Sequence, residues 1–552
     1  MVRRSRNWLL PALLILFFAG YVVYPVLSLV DQAFFPGGSF FAAKGGGFFD
    51  RSTVEAVLNS LLVSILSVLF SGVVGVALSA TLTQFSFPFR KIVALFAVVP
   101  VALPPLVGVV AFMFVFGETG FVPRLLSAMT GAPASAFSID GLPAIVAVHV
   151  YSFNAFFYLF ASAAFEQMDG SLVEAAANLG AGPARVFRTV LLPQLRPALL
   201  GAGILTFLSS MASFSAPLLF AGSHRYLTLE IFLTKTNGDI ALASRQAILL
   251  LAVSLCCFVV LNAVAGSAIT LRRSKGASRV VRWSAGRFGR GALIGFTIAV
   301  VGIELLPLAI ILLASFAREG SWTTQLVPPE YSMGNYTRLL SDASVFQPIV
   351  NSVSMSLLGL AGAMLVGGSA AYLMTKGILR RIRRGVDVIL SIPYAIPGTV
   401  LAIGLILAFN RPTPFSGMTV LVGTFWILPL AYILRTYPLM MRSVSSSLDQ
   451  IDDGILEAAS SLGASSSRRF ATIIFPLALP GLIAGSMLTL ITLIGEFVAS
   501  ILLYTYANRP IAVEILAQIR SYSFGQASAY CIVVLLVILG VVGVADLLRR
   551  RN

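Results

Sequence analysis

Long apolar runs, separated by short stretches rich in arginine, glycine, serine and proline, set the pattern of this chain. Twelve runs are readable. Six lie near 8–30, 54–82, 92–116, 142–165, 198–221 and 246–270, and six near 292–316, 347–375, 386–408, 418–441, 481–503 and 527–548. Each is long enough to cross the ~30 Å hydrocarbon layer of a bilayer as a helix. Hydropathy within a run is continuous rather than alternating, which predicts helices and not a β-barrel. Lipid offers backbone polar groups no partners, so helices satisfy them internally. The pattern predicts an all-α polytopic membrane protein with about 12 transmembrane helices.

Composition and charge sharpen this reading. Only 11% of the 552 residues are charged and 58% are hydrophobic, against about 25% charged in a soluble domain. A soluble enzyme, a disordered scaffold and a secreted disulfide protein are excluded. The net charge of +16 would point to nucleic acid in a soluble chain. Here it reads as topology, and no nucleic-acid partner is expected. With a cytoplasmic N-terminus, 26 of the 38 Lys and Arg residues fall in inner segments and 11 in outer loops, with Arg435 inside a span. Both termini are therefore expected on the cytoplasmic side. Arg3, Arg4 and Arg6 precede a run from Trp8 to Val30. That run is too long for a signal-peptide core and is expected to remain as a first transmembrane helix. Cys256, Cys257 and Cys531 lie in apolar runs without metal-ligand spacing and read as small packing residues.

The two sets of six spans are related. Residues 174–197 read EAAANLGAGPARVFRTVLLPQLRP, and residues 457–480 read EAASSLGASSSRRFATIIFPLALP. Glu174 pairs with Glu457, Ala175 with Ala458, Ala176 with Ala459 and Gly180 with Gly463. Arg185 pairs with Arg468, Phe187 with Phe470, Pro193 with Pro476 and Pro197 with Pro480, always 283 positions apart. Upstream, Pro100 and Pro104 correspond to Pro393 and Pro397, and Asn59-Ser60 to Asn351-Ser352. Six spans separate the copies, so both lie the same way up, related by an axis along the membrane normal. The expected division is a first repeat over 1–271, a basic cytoplasmic linker over 272–291 and a second repeat over 292–552. The linker is also suited to meeting anionic lipid heads.

The repeated loops, 167–197 and 450–480, fall between the fourth and fifth spans of each half. Ser171 and Glu174 have capping-box spacing, and in the second copy Asp453 is the expected cap. Glu-Ala-Ala then starts a short helix with a small-residue face, and Gly180 or Gly463 ends it. A second short helix carries Arg185 and Phe187, or Arg468 and Phe470. Such an elbow suits docking into a groove on another protein: the alanines allow close approach, the arginines can pair with carboxylates, and the phenylalanines can pack inside the bend. A packed surface loop is the alternative, but two matching copies count against it.

The pattern E-A-A-x-x-x-G, followed by a hydrophobic stretch ending in L-P or F-P, resembles the loop of permease subunits in binding-protein-dependent ABC importers. The resemblance covers nearly the whole chain as two fused domains of the type I importer fold. It implies that Glu174, Ala175, Ala176, Gly180, Glu457, Ala458, Ala459 and Gly463 belong to coupling helices seated in a cytoplasmic ATPase. It further implies two copies of that ATPase and a periplasmic or lipid-anchored substrate-binding protein. The setting is the inner or plasma membrane of a bacterium or archaeon. The chain has no G-x-x-x-x-G-K-[ST] P-loop, so ATP and Mg are expected on the partner, with no cofactor, metal or catalytic residue here. Fused permeases of this size resemble ferric iron importers most, with thiamine, aminoalkylphosphonate and polyamine importers as alternatives. The stretch from Tyr226 to Phe232 is similar to a segment common in iron-type permeases.

Polar groups inside spans are pathway candidates. Glu496 lies in Gly495-Glu496-Phe497, and Ala212-Ser213-Phe214 stands at the same offset in the first half. Related permeases often carry Gly-[Asp/Glu]-Phe there, so the first half departs from the pattern. Ser213 and Glu496 are expected to face the central pathway or the interface between halves. A contact of Glu496 with Arg435 is the alternative. Pro104 and Pro397 are expected to break the third span of each half and expose backbone to a cavity. His149 is expected to hydrogen-bond between helices, and Glu304 to make a local packing contact. Ser71 to Gly75 and Gly367-Gly368-Ser369 suit close helix packing. A carrier driven by protons or sodium is the rival of another class, but it leaves the paired loops unexplained.

Overall fold

The computed structural model describes residues 8–35, 50–168, 170–268, 286–322 and 325–551. Of the predicted linker over 272–291, residues 272–285 lie outside them, as do the basic residues before Trp8, while 286–291 already belong to the helix Gly286–Ser315. Among the described residues the chain is helical, apart from one isolated bridge between Ala317 and Tyr331. Among the described residues, ten helices are long and apolar enough to span a membrane. An eleventh span is bent by 93° between Gly385–Ala395 and Gly398–Phe409. The tenth run, 418–441, is the helix Ile427–Asp449. It holds Arg435 and Arg442 and a serine-rich end, so it is less apolar than the others. It is largely buried among its neighbours, and a helix shielded from lipid need not be apolar all round.

The third span is broken in both halves, as the prolines predict. In the first half it runs as Arg90–Phe96, Val99–Ala102 and Pro105–Phe116. Pro104 and Pro397 are both extended, at φ −54°, ψ 135° and φ −56°, ψ 144°, and each begins the following helix. Their rings fix φ and supply no N–H, so the preceding helix cannot continue through them.

Two compact units emerge, and they cut across the repeats. In one, residues 50–233 pack with the described residues of 249–332; in the other, 333–551 pack with 8–35 and 234–248. The first helix of each half is thus exchanged. Leu9–Phe34 packs within the second-repeat unit: Tyr21 donates to the Phe415 carbonyl at 2.6 Å, and Phe17 meets the Tyr437 ring edge-on. Gly286–Ser315 packs within the first-repeat unit. There the buried Glu304 accepts from Asn154 Nδ2 at 2.8 Å, the local contact expected for it.

Inside each unit the second and fourth spans meet through a matched glycine. A methyl group added at Gly75 would stand 2.6 Å from Phe157 Cβ, and one at Gly367 3.0 Å from Met440 Cβ. Phe157 and Met440 are 283 positions apart, so this close approach is itself repeated. Small residues at such crossings let helix backbones approach and gain dispersion contacts that lipid alone does not favour.

Candidate functional site

The two repeated loops fold as nearly identical elbows. The first short helix is Gly170–Asn178 in one copy and Asp453–Ser461 in the other. Gly180 and Gly463 follow at φ +78° and +81°, the left-handed conformation that disfavours a side chain. The chain closes on itself there. Ala181 N donates to Ala176 O at 3.0 Å, and Ala464 N to Ala459 O at 3.0 Å. These are the bonds of a Schellman turn, which satisfies carbonyls a helix end leaves free. Short helices Pro183–Val186 and Ser466–Arg469 come next, each running through a π-turn into the fifth span. The π-turns, Phe187–Leu191 and Phe470–Ile474, are again 283 apart.

Two capping expectations are corrected. Asp452, not Asp453, caps the second elbow by accepting from Gly454 N at 2.9 Å. Asp453 is the first helical residue and is drawn into an ion pair instead. In the first elbow the helix already begins at Gly170, so Ser171 is inside the helix rather than before it.

Glu174, Ala175, Arg185, Glu457, Ala458 and Arg468 are exposed, while Ala176 and Ala459 are half-buried. Phe187 packs inward on a cluster that includes Ala80 and Val173, as expected. Phe470 stays 43% exposed. Tyr372 stands at the position equivalent to Ala80, and its ring meets Phe470 edge-on at 5.6 Å, holding it outward.

Sequence reading missed the most exposed apolar residues of these elbows. Leu179 and Leu462 are each 88% exposed, and Leu172 and Ile455 are about half exposed. Leu172, Ala175 and Leu179 follow one helix face, and Ile455, Ala458 and Leu462 repeat it. The opposite face, Val173 and Ala176 or Leu456 and Ala459, packs against the protein. The signal was present in the matched Leu-Gly pairs, but leucine carries little information in so apolar a chain.

The second elbow is also tied down by charge. Lys376 Nζ donates to Ile451 O at 2.7 Å and to Asp453 Oδ1 at 2.6 Å, and Arg380 pairs with Asp453 Oδ2 at 2.7 Å. Arg383 and Asp449 form a two-pronged bridge with both contacts at 2.6 Å. The equivalent positions of Lys376 and Asp453 in the first half are Gln84 and Gly170. The hydrogen bond from Lys376, joined by one from Arg380, holds the Asp453 carboxyl below the usual carboxylate range. A carboxyl whose folded pKa is depressed contributes stability above its unfolded pKa, about 3.9, and loses it as pH falls through the lower folded value. Thermal melting of the Asp453→Asn variant should therefore differ from wild type at neutral pH. The difference should close only in strong acid.

The pathway candidates lie where the fifth span breaks. Leu192–Met211 and Ser215–Phe220 flank Ser213; Phe475–Ile494 and Val498–Leu503 flank Glu496. Each break is tied to the fourth span. His149 Nε2 lies 2.9 Å from Ser213 Oγ, while its Nδ1 lies 2.9 Å from Ser67 and 3.1 Å from Ser210. His149 is thus the interhelical hydrogen-bonder expected. In the second half Arg435 Nε stands 2.6 Å from Glu496 Oε2. Glu496 Oε1 accepts from Ala499 N at 3.0 Å. The alternative contact considered for Glu496 is present.

The matched Asn59-Ser60 and Asn351-Ser352 each hold a helix whose own repeat escaped the sequence reading. Asn59 donates to Arg225 O, and Ser60 Oγ accepts from Leu227 N at 2.9 Å. Asn351 donates to Arg509 O, and Ser352 Oγ accepts from Ile511 N at 2.8 Å. The helices held in this way, Leu227–Thr236 and Ile511–Arg520, each take an ion pair from an arginine two residues before their start. The pairs are Arg225–Glu230 at 3.2 Å and Arg509–Glu514 at 2.9 Å. The spacing there is 284, one residue longer than in the elbows, which hid the match.

Two copies of one membrane fold, each ending its fourth span in the same elbow, define a translocating membrane subunit built by duplication. The family model described as binding-protein-dependent transport system inner membrane component matches residues 71–271 and 363–552, and the chain belongs to that family. It is a multi-pass inner membrane protein with two permease domains in one chain. The family's subunits translocate substrate and work with an ATPase and a substrate-binding protein. Among named relatives, the chain is 28% identical over 522 residues to the probable ABC transporter permease protein y4fN of Sinorhizobium fredii, covering 94% of this chain and 91% of that one. It is 25% identical to the ferric transport system permease protein FbpB of Actinobacillus pleuropneumoniae, covering 97% and 77%. The spermidine/putrescine transport system permease protein PotB of Escherichia coli is 28% identical, covering 37% of this chain and 79% of that one. A bacterial ABC transporter importing the acidic polysaccharide alginate matches 47% of this chain and 94% of that chain, with 20% identity and a TM-score of 0.38.

Proposed function

We propose that this chain is the fused permease of an ATP-driven importer for ferric iron. A substrate-loaded binding protein docks on the outer face. Two copies of a cytoplasmic ATPase close on the two elbows, and the halves alternate access to a central pathway. Coupling requires each partner to bind the two conformations unequally, so ATP and the loaded binding protein bias one equilibrium. In this reading ATP and Mg belong to the partner ATPase, and this chain performs no covalent step. The excess of basic residues in the inner segments supports a cytoplasmic side for both termini and both elbows.

The observation that carries this reading is the pair of elbows, with the same turn, the same π-turn and the same outward leucine. An exposed apolar stripe on a short helix is unfavourable in water unless a partner covers it. Glu174, Glu457, Arg185 and Arg468 rim that stripe with charge. The iron reading is supported by a ferric transport relative that spans nearly the whole fused chain, whereas the polyamine relative matches 37% of it. A polyamine substrate remains the second reading on that match.

The doubly substituted chain Leu179→Asp, Leu462→Asp tests the docking role. It should reach the membrane and melt like wild type, because both side chains are exposed. It should fail to retain the ATPase on purification. Retention at the wild-type level would sink the assignment of these helices as the docking elements.

A further inference from the structure

Arg435 lies inside the helix Ile427–Asp449, and its surroundings engage only one edge of its guanidinium. Its Nε is taken by Glu496. Neither Nη group has a hydrogen-bond acceptor among the described residues, and the side chain is 27% exposed while Glu496 is 5% exposed. A guanidinium edge turned toward hydrocarbon is costly, so an exposed edge inside a span faces a polar space. The Nη1 group lies against the start of the helix Gly398–Phe409: a methyl group added at Gly398 would stand 3.2 Å from it. A helix start is a positive end whose first N–H groups lack acceptors within the helix. In its first turn the Thr399 hydroxyl is fully buried and also without a partner among the described residues.

Two positive elements therefore meet at the break in the third span, and the one carboxylate paired with Arg435 is at its Nε edge. That carboxylate is already engaged by Ala499 N–H on its other oxygen. Guanidinium forks and helix-start N–H groups share one natural ligand, a planar or tetrahedral oxyanion. The equivalent of Arg435 in the first half is Ser152, so this feature belongs to the second half alone.

We propose that Arg435, the helix start at Gly398 to Val400 and the Thr399 hydroxyl form a binding site for an oxyanion group, through which the substrate passes as an anion. The inference rests on the importer reading and narrows it. Iron would cross as an anionic chelate with carboxylate donors, or the substrate is itself a phosphonate; a polycation such as spermidine is disfavoured.

The test is equilibrium binding of radiolabelled ferric citrate and of radiolabelled aminoethylphosphonate to the purified permease–ATPase complex, with unlabelled spermidine as competitor. One of the two anions should bind, and which one identifies the source of the oxyanion. The Arg435→Lys variant keeps a charge for Glu496 but loses the fork, and should weaken binding roughly tenfold or more. The double variant Arg435→Gln, Glu496→Gln removes the pair without leaving a lone charge, and should bind no better than Arg435→Lys. Binding of neither anion, wild-type binding by both variants, or equal competition by spermidine overturns the site. The ATPase content of the same preparation is a separate readout. A complex that carries its ATPase and binds neither anion overturns the oxyanion site alone; a chain that recovers no ATPase overturns the importer reading.

Discussion

Replacing both Gly180 and Gly463 by valine should abolish ATP-driven uptake while leaving a folded, membrane-inserted protein. Both glycines sit at φ near +80°, where a side chain costs about 1–2 kcal/mol per residue, and a β-branched one fits worst. Nothing lies within 4 Å of a methyl group added at either position. The penalty therefore falls on the turn and not on packing. The turn is relieved if the elbow unwinds, and unwinding removes the bonds from Ala181 to Ala176 and from Ala464 to Ala459. The short helix then loses its angle to the π-turn and the fifth span, the link through which partner movement would reach the breaks at Ser213 and Glu496. Uptake into reconstituted vesicles should fall to background, and ATP hydrolysis should lose its response to loaded binding protein. Either single variant should retain one elbow and show an intermediate defect. Full uptake by the double variant would contradict the coupling role.

Substituting Arg435 alone by methionine should be among the most destabilising single changes in the second half. It strands the Glu496 carboxylate with a single backbone donor in a buried site. Removing one partner of a buried pair costs about 3–5 kcal/mol. Adding Glu496→Leu to the same chain should restore most of the loss, since replacing both charges with apolar groups is often neutral. Thermal melting of the purified single and double variants checks this. The restored double variant should still fail to transport, because the oxyanion site is gone. If the single variant melts like wild type, the ion pair is not a structural element of the break.

Much of this architecture was legible because two signals were strong. Span-length apolar runs fixed the class, and an ungapped match over both loops fixed the duplication and located the elbows. The prolines at Pro104 and Pro397 announced the broken third spans through the fixed geometry of their rings. Hydropathy could not show that the first helices are exchanged. An apolar helix such as Leu9–Phe34 states that it crosses lipid, not which bundle it joins, and its partners depend on shape at Tyr21 and Phe415. Lys376, Arg380 and Arg383 were legible as topology charges, but their pairing with Asp449 and Asp453 is a three-dimensional fact. Leu179 and Leu462 were hidden by their own chemistry, since an exposed leucine and a buried one look alike among so many apolar residues. Glu496 could be read as pathway or as partner of Arg435. The fold makes the pairing, and the exposed face of Arg435 keeps the pathway role alive as a proposal.

The most direct measurement is purification of the tagged chain from its native membrane in mild detergent, with quantitative mass spectrometry of what accompanies it. The account predicts a P-loop ATPase at two copies per chain, lost from the Leu179→Asp, Leu462→Asp variant. Absence of any ATPase, together with proton- or sodium-driven uptake in vesicles without ATP, would contradict it and assign the chain to ion-coupled transport.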